Sequence, residues 1–351
     1  MRHGLIQWRD ENLSQAEVQT RQDHICAALR AAGLDALLLY TNHIRSGAVT
    51  WACGFTPYWS DALWLLPIDA RPLFVTALSK RLGNWIAATN PTSEIAHSPR
   101  PGELIGARLA ALKARRVGVV ELDRLPAGLM AEITNVTDAE LIDATTVFAA
   151  LRMQPDASET RLTARTDAIA RQAFAAMPAH RVRVGDVTEA LELSARLAGA
   201  EEIYVATAPD LASDARLARI KGGVPLGERF AVRLSVAFAG TWIRRTETFT
   251  RADTPAPDIY CARAWFADVC ATAVAGPGLQ EHLVSKPPPE GLRLDDWLLE
   301  APCATRPLQI VAEHGMDPVM AHANATISVR LTGPCGPVIL ARPLIGPEGA
   351  G

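Results

Sequence analysis

The spacing of apolar residues predicts alternating helices and strands in the first 150 residues or so. A helix is expected after Ser14, whose side chain suits an N-cap, and its segment AEVQTRQDHICAALRAA ends at Gly33. The apolar run DALLLYT is typical of a buried strand, and ALWLLP and PLFVTA are two further strands. Helical and strand-like segments alternate from there to the PDAS segment. This order predicts an α/β layered domain over residues 1–154.

The second half of the chain is predicted to be a separate α+β domain over residues 155–351. Asp156 and Glu159 have the spacing of a capping box, which predicts the start of the helix ETRLTARTDAIARQAFAAM. The helix GDVTEALELSARLAG, the strand EIYVATA and a hairpin come next, followed by the helix IYCARAWFADVCATAV. The final strands are ATISVRL and GPVILARPLI. We place the domain boundary in the PDAS segment.

The segment GERFAVRLSVAFAGTWIRRTETF, Gly227 to Phe249, predicts a hairpin with a turn at Gly240 and Thr241. Alternate positions of its first strand are apolar, namely Val232, Leu234, Val236 and Phe238. The hairpin also places arginines in both strands, Arg233 in the first and Arg244 in the second. Charged side chains at these positions are unusual for a sheet face that ought to be covered, so they mark the hairpin as a candidate site.

Composition narrows the classes of function. A chain of 351 residues favours two domains, and the apolar fraction of 49% is sufficient for ordinary cores. The formal charge of −3 is spread along the chain, which argues against nucleic acid or an anionic membrane as a partner. The N-terminal segment MRHGLIQWRDENLS lacks the apolar core of a signal peptide, and no apolar run approaches the roughly 20 residues of a membrane span. We therefore expect a cytoplasmic protein.

Neither the cysteines nor the histidines form a recognisable motif. The six cysteines are scattered without a CxxC spacing, and we expect them to be reduced thiols. Apart from His24, two residues before Cys26, no histidine lies close in sequence to a cysteine, which gives little support to a catalytic cysteine. The eight histidines show no HxH or HExxH pattern. We therefore expect no cofactor bound through these residues.

The order of parts resembles the creatinase, prolidase and aminopeptidase P group. The segment AALRAAGLDALLLYTNHIRSGAVTWACGF resembles the N-terminal domain of that group, and the hairpin from Gly227 to Phe249 aligns with the family hairpin without a gap. The resemblance implies an α/β N-terminal domain of creatinase type followed by a shortened α+β domain with the pita-bread fold. Between Phe249 and Gly291 we expect one helix, where family members generally have two.

The metal-dependent members of this group bind two metal ions through five side chains, and the resemblance implies that this chain has lost them. The matched positions hold Arg233, Arg244, Leu292, Arg330 and, less securely aligned, Leu340. A guanidinium group is a permanent cation with donors only and cannot coordinate a divalent cation. The family histidine expected between Ala206 and Gly227 is also missing. We therefore expect no metal site and no metallopeptidase activity.

Three hypotheses for the function remain open. In the first, the protein keeps the fold for binding, or as the non-catalytic partner of an active paralogue. In the second, it is a metal-independent hydrolase that resembles creatinase. In the third, it catalyses a lyase or transferase step on an anionic substrate. We favour the first. The resemblance implies that Arg233, Arg244 and Arg330 converge around a small carboxylate or phosphate, with Glu247 as the nearest counter-charge. As an alternative to an anion-binding site, Arg233 and Arg244 fill an inactive site by pairing with Glu247, Glu228 or Glu300.

An aromatic cluster in the first domain is a candidate interface. It contains Trp51, Phe55, Tyr58, Trp59 and Trp64. Core packing is one interpretation, and a loop that faces a second subunit is the other, since the polar and aromatic sequence FTPYWSD suits an interface. The resemblance implies that this domain contacts a neighbouring subunit. We therefore expect a homodimer, or a heterodimer with an active paralogue.

Overall fold

The computed structural model of the chain describes residues 8–42, 44–54, 60–220, 222–251, 256–273, 278–316 and 324–345. The chain divides into two compact units. The first comprises Met1–Gln154 with the short segment Pro302–Pro307, and the second comprises Pro155–Ala301 with Leu308–Gly351. The sequence pattern gives no sign that Pro302–Pro307 groups with the first unit.

The first unit is built on a six-stranded mixed sheet with the strand order β4-β3-β2-β1-β5-β6. Its elements, in chain order, are α1 (Gln15–Ala31), β1 (Ala36–Thr41), α2 (Gly47–Cys53), β2 (Ala62–Pro67), β3 (Leu73–Thr76), α3 (Gly83–Thr89), β4 (Glu94–His97), α4 (Pro101–Leu112), β5 (Arg116–Val119), α5 (Ala127–Thr134), β6 (Glu140–Asp143) and α6 (Thr145–Arg152). Apolar clusters cover both faces: Leu37 and Leu39 contribute to one, and Leu38 to the other. A strand buried on both faces is why the run of residues 36–39 is continuously apolar.

The second unit is built on a seven-stranded sheet with the order β11-β10-β12-β13-β9-β8-β7, in which every neighbouring pair is antiparallel. Its elements, in chain order, are α7 (Ala157–Ala175), α8 (Val184–Leu197), β7 (Glu202–Ala208), β8 (Arg229–Phe238), β9 (Thr241–Thr250), α9 (Pro257–Thr272), α10 (Leu279–Ser285), β10 (Arg293–Ala301), β11 (Gln309–Glu313), β12 (Thr326–Gly333) and β13 (Gly336–Pro343). The expectation of a single helix between Phe249 and Gly291 is wrong, because α10 follows α9 there.

Local capping fixes the start of the first helix of each unit. The Ser14 hydroxyl accepts the N–H of Glu17 at 3.2 Å, and the Glu17 carboxylate accepts the N–H of Ser14 at 2.8 Å. Asp156 and Glu159 form the same reciprocal pair at the start of α7. Both predicted caps are confirmed, since the spacing alone specifies which backbone donors are satisfied.

Among the described residues, no helix is both long and apolar enough to cross a membrane.

The two faces of the second sheet differ in chemistry. One face, here called the helix-covered face, packs Val232, Leu234 and Val236 against the helices α7 and α8. Farther along the sheet the same face packs against α9. The opposite face, here called the polar face, carries the alternate residues of β8, among them Arg233 and Ser235.

The hairpin of β8 and β9 closes through a two-residue turn at Ala239 and Gly240, whose φ angles are 46° and 75°. Two consecutive left-handed residues give the turn type that matches the right-handed twist of a hairpin. The prediction of a turn at Gly240 is confirmed, whereas Thr241 belongs to β9 rather than to the turn.

Glu201 lies against this turn and predicts a pH-dependent stability. Its carboxylate accepts the N–H groups of Ala239 and Gly240, and burial raises its pKa to about 7, with Glu202 adding to the rise. A carboxyl group whose folded-state pKa lies above its unfolded value of 4.5 makes folding more favourable at low pH. We expect the free energy of unfolding to fall by about 1–3 kcal/mol as the pH rises from about 4.5 to 7.

Urea denaturation at a series of pH values measures this effect. The decrease is expected to vanish in Glu201→Gln and to persist in Glu192→Gln, which changes an exposed residue of α8. An unchanged pH dependence in Glu201→Gln would assign the decrease to other groups.

Candidate functional site

The arginines at the first two matched positions lie together on the polar face. Arg233 in β8 pairs with Thr246 of β9, and Arg244 in β9 pairs with Ser235 of β8. Because side chains alternate along each strand, all four residues project to the same side of the sheet. The guanidinium of Arg244 donates from Nε to the Ser235 hydroxyl at 3.2 Å. The structure therefore brings Arg233 and Arg244 together, as the sequence predicts.

Glu300 supplies the counter-charge. It lies in β10, and its Oε1 forms an ion pair with Nη1 of Arg244. The side chain of Glu300 is only 8% exposed, against 23% for that of Arg244. The other carboxylate oxygen, Oε2, is buried and accepts no hydrogen bond from the described residues. Of the three partners that the sequence leaves open for a filled site, Glu300 is the one that pairs with Arg244.

Arg233 is the less satisfied member of the arginine pair. Burial lowers the pKa of Arg233, and the charge of Arg244 lowers it further, while Glu300 acts in the opposite direction. The Nε of Arg233 is buried and has no hydrogen-bond partner among the described residues. Two guanidinium groups with one carboxylate leave one positive charge in excess at this place.

The expectation that Glu247 balances Arg233 and Arg244 is wrong. Glu247 follows Arg244 by three positions, so the alternation of the strand directs it to the helix-covered face. There its carboxylate pairs with Arg245 at 3.4 Å and with Arg263 of α9 at 3.0 Å. Glu247 is thus part of a different ionic cluster on the other side of the sheet.

Arg330 does not join the arginine pair. It lies in β12 opposite Asp296 of β10 and Ile339 of β13, and it is exposed. The residue of β12 in line with Thr246 is Ser328, because Ser328 pairs with Ala341 and Ala341 pairs with Thr246. A step of two residues along a strand moves a side chain by roughly 6–7 Å, which takes Arg330 away from the pair. The predicted convergence of three arginines is therefore wrong for Arg330.

The matched leucines belong to the other side of the sheet. Leu340 is fully buried in the apolar cluster of the helix-covered face, and Leu292 packs partly buried against the same cluster. The five matched positions thus offer guanidinium and aliphatic groups, which do not fit a divalent metal. Among the described residues, no three histidine, cysteine, aspartate or glutamate side chains are grouped so as to hold a metal ion.

The aromatic cluster of the first unit is only partly described. Trp51 is 8% exposed and packs edge-on against Phe148, with ring centroids 5.5 Å apart. The guanidinium groups of Arg21 and Arg152 lie over its ring at 5.3 and 5.4 Å. Trp51 is therefore a core residue rather than an interface residue, and Trp64 is fully buried as well. Phe55, Tyr58 and Trp59 lie outside the described residues, so an interface around them stays a prediction.

The ionic cluster on the helix-covered face was not predicted from the sequence. The Arg245 guanidinium donates to the two carboxylate oxygens of Asp167 in α7 at 3.0 and 3.1 Å. Arg171 pairs with the same carboxylate at 3.0 Å. Asp167 and Arg245 are separated by 78 residues, so no local pattern points to their contact.

Comparisons with known proteins agree with this architecture. Residues 21–154 match the family model of the Creatinase/Prolidase N-terminal domain. No curated protein matches the sequence. Among solved structures, the Xaa-Pro dipeptidase from Bacillus anthracis is 16% identical with a TM-score of 0.63, the match covering 94% of this chain and 95% of that one. The X-Pro aminopeptidase from Thermotoga maritima MSB8 is 15% identical, with a TM-score of 0.68 and coverage of 92% and 96%.

A third solved structure shows the same likeness. The prolidase from Pyrococcus horikoshii OT3 is 12% identical with a TM-score of 0.62, and the match covers 94% of this chain and 96% of that one. The chain therefore has the two-domain fold of prolidases and X-Pro aminopeptidases. Its residues 21–154 are a creatinase/prolidase N-terminal domain, and the fold expected from the hairpin and the order of elements is confirmed.

Proposed function

We propose that this chain is a metal-free protein of the prolidase fold that binds a small anion on the polar face of its second unit. In this proposal it acts as a binding protein and has no metallopeptidase activity. The observation that carries the proposal is the position of Arg233, which is half-buried on the same face as Arg244, has a buried Nε without a hydrogen-bond partner among the described residues, and lies near a carboxylate, Glu300, that is already paired with Arg244.

Electrostatics favours an additional anion at this place. Two like charges in a partly buried site repel by several kcal/mol unless they are compensated. Glu300 is engaged by Arg244 and can neutralise only one of the two guanidinium groups. Arginine binds carboxylate and phosphate through two parallel hydrogen bonds, which suits a small ligand with either group. A permanent positive charge at the same place repels a divalent cation.

Two measurements on the purified protein test the proposal. Elemental analysis is expected to find manganese, cobalt, zinc and iron all far below one per chain. Isothermal titration is expected to show binding of propionate that weakens about tenfold or more in Arg233→Ala and in Arg244→Ala, since a charge-assisted pair of hydrogen bonds is lost.

The matched control is Arg293→Ala, because Arg293 lies in the same sheet with its side chain 78% exposed. It is expected to leave propionate binding unchanged. One metal ion per chain, or propionate binding that is insensitive to both arginine substitutions, would refute the proposal.

We propose further that the segment around Tyr58 and Trp59 mediates association with a second copy of this chain or with an active paralogue. A stretch of aromatic and polar residues is typical of interfaces and costly to expose. Sedimentation velocity at micromolar concentration is expected to show a dimer that dissociates in the double variant Tyr58→Ser and Trp59→Ser. A monomer in the unmodified protein, with no paralogue co-purified from the host, would contradict this.

A further inference from the structure

An aromatic stack lies beside the arginine pair on the polar face. The rings of Tyr204 in β7 and Trp242 in β9 are stacked, with centroids 5.5 Å apart and an interplanar angle of 8°. The guanidinium of Arg219 lies over the Tyr204 ring at 3.9 Å. The Tyr204 hydroxyl donates to Glu202 Oε2 at 3.0 Å, which fixes the orientation of the ring. The stack is therefore held in place from the strand β7.

The strand register places this stack next to Arg244. Trp242 precedes Arg244 by two positions in β9, so both side chains project to the polar face. Tyr204 pairs with Ser235, the residue whose hydroxyl accepts from Arg244. Between the two rings, β8 presents only the small side chains of Ser235 and Ala237, which leaves room for the rings to lean together.

The two rings are not part of the apolar cores of the second unit. Trp242 and Tyr204 are partly exposed, and neither belongs to the clusters that fill the helix-covered face. Within the described part of the chain, Tyr204 is the ring stacked on Trp242, and the guanidinium of Arg219 lies over Tyr204 rather than over the indole. A partly exposed indole beside two cationic side chains has the features of a ligand contact rather than of core packing.

We infer that the ligand of the polar face is a small carboxylate that carries a planar apolar ring. Its carboxylate binds Arg233 and Arg244, and its ring stacks on the indole of Trp242. The inference rests on the proposed function, because the arginine pair supplies the contact to the carboxylate. It adds the chemical class of the ligand, which the arginines alone leave open.

Isothermal titration with 3-phenylpropionate and propionate tests the inference, because the two acids share the carboxylate and differ in the ring. The unmodified protein is expected to bind 3-phenylpropionate about tenfold more tightly than propionate, through ring stacking and burial of the phenyl group. Trp242→Ala is expected to abolish that preference while changing the affinity for propionate by less than about twofold. Trp242→Leu, which keeps apolar bulk, is expected to retain part of it.

The control is Tyr260→Ala, which removes an aromatic ring that is 69% exposed on α9, and it is expected to change neither affinity. Equal binding of the two acids, or a preference that survives in Trp242→Ala, would overturn the inference and leave the anion site standing. If neither acid binds, the proposed function itself fails. Circular dichroism establishes whether each variant is folded. If Trp242→Ala does not fold, a reduced preference for 3-phenylpropionate in Trp242→Leu tests the inference instead.

Discussion

Replacement of Glu247 by glutamine is expected to lower the free energy of unfolding by about 2–4 kcal/mol. The Glu247 side chain is 11% exposed and lies among the guanidinium groups of Arg245, Arg263 and Arg342, at 3.4, 3.0 and 4.0 Å. Removing the carboxylate leaves these cations without a shared counter-charge inside the protein. The loss stays below the full cost of an isolated buried charge, since Arg263 and Arg342 are 27% and 21% exposed.

The same cluster joins four elements of the second unit. Asp167 belongs to α7, Arg245 and Glu247 to β9, Arg263 to α9 and Arg342 to β13. Since Asp167 remains as a partner of Arg245, the substitution is expected to loosen α9 and β13 more than α7. Hydrogen exchange is expected to show the largest increase in the rate of amide exchange in α9.

A matched control is available in the same hairpin. Glu228 pairs with Arg251, and its side chain is 75% exposed. Because an exposed ion pair contributes at most about 1 kcal/mol, Glu228→Gln is expected to change the free energy of unfolding little. Urea denaturation of the two variants makes the comparison. Equal losses in Glu247→Gln and Glu228→Gln would show that the buried cluster has no special role in stability.

Replacement of Glu300 by glutamine is expected to increase the affinity for small anions by about tenfold to a hundredfold. Glu300 is the internal counter-ion of Arg244, and it competes with any bound anion for the guanidinium groups of the polar face. Glutamine keeps the shape of the side chain and removes its charge. The net charge of the group formed by Arg233, Arg244 and residue 300 then rises from +1 to +2. The attraction between unit charges about 4 Å apart near a protein surface is large enough for such a change.

The control for this substitution is Glu313→Gln. Glu313 lies in the adjacent strand β11 opposite Leu298, and it is exposed. Titration of propionate and inorganic phosphate into both variants is the measurement. An unchanged or weaker affinity in Glu300→Gln would mean that Glu300 does not compete with an anion for Arg244, and it would contradict an anion site at the arginine pair.

Local patterns were sufficient to predict the framework of the fold. The capping spacings at Ser14 and Asp156 fix helix starts because the same few residues supply both donor and acceptor. The alternation in the hairpin from Gly227 to Phe249 fixes two ten-residue strands and shows which residues of β8 face the helices. Short helices such as α2 were missed, because seven residues are too few to display a periodic pattern.

The partner of the arginine pair was predicted less well, for two different reasons. The predicted placement of Glu247 beside Arg244 conflicts with the strand alternation, since residues three positions apart in a strand project to opposite faces. The contact between Arg244 and Glu300 is one of three pairings that the sequence leaves open, and no local pattern singles it out. Their strands, β9 and β10, have β13 and β12 between them, a separation of about 14 Å in a flat sheet. A local pattern cannot show that side chains from strands so far apart in the sheet order meet.

The central claim is that the polar face of the second unit binds an anion where the resemblance places a metal centre. A crystal structure grown in the presence of both propionate and manganese tests it most directly. We expect a carboxylate within hydrogen-bond distance of the Arg233 and Arg244 guanidinium groups, and no anomalous manganese signal on the polar face. A manganese ion bound on that face, or a polar face without propionate while Glu300 holds both arginines, would contradict the claim.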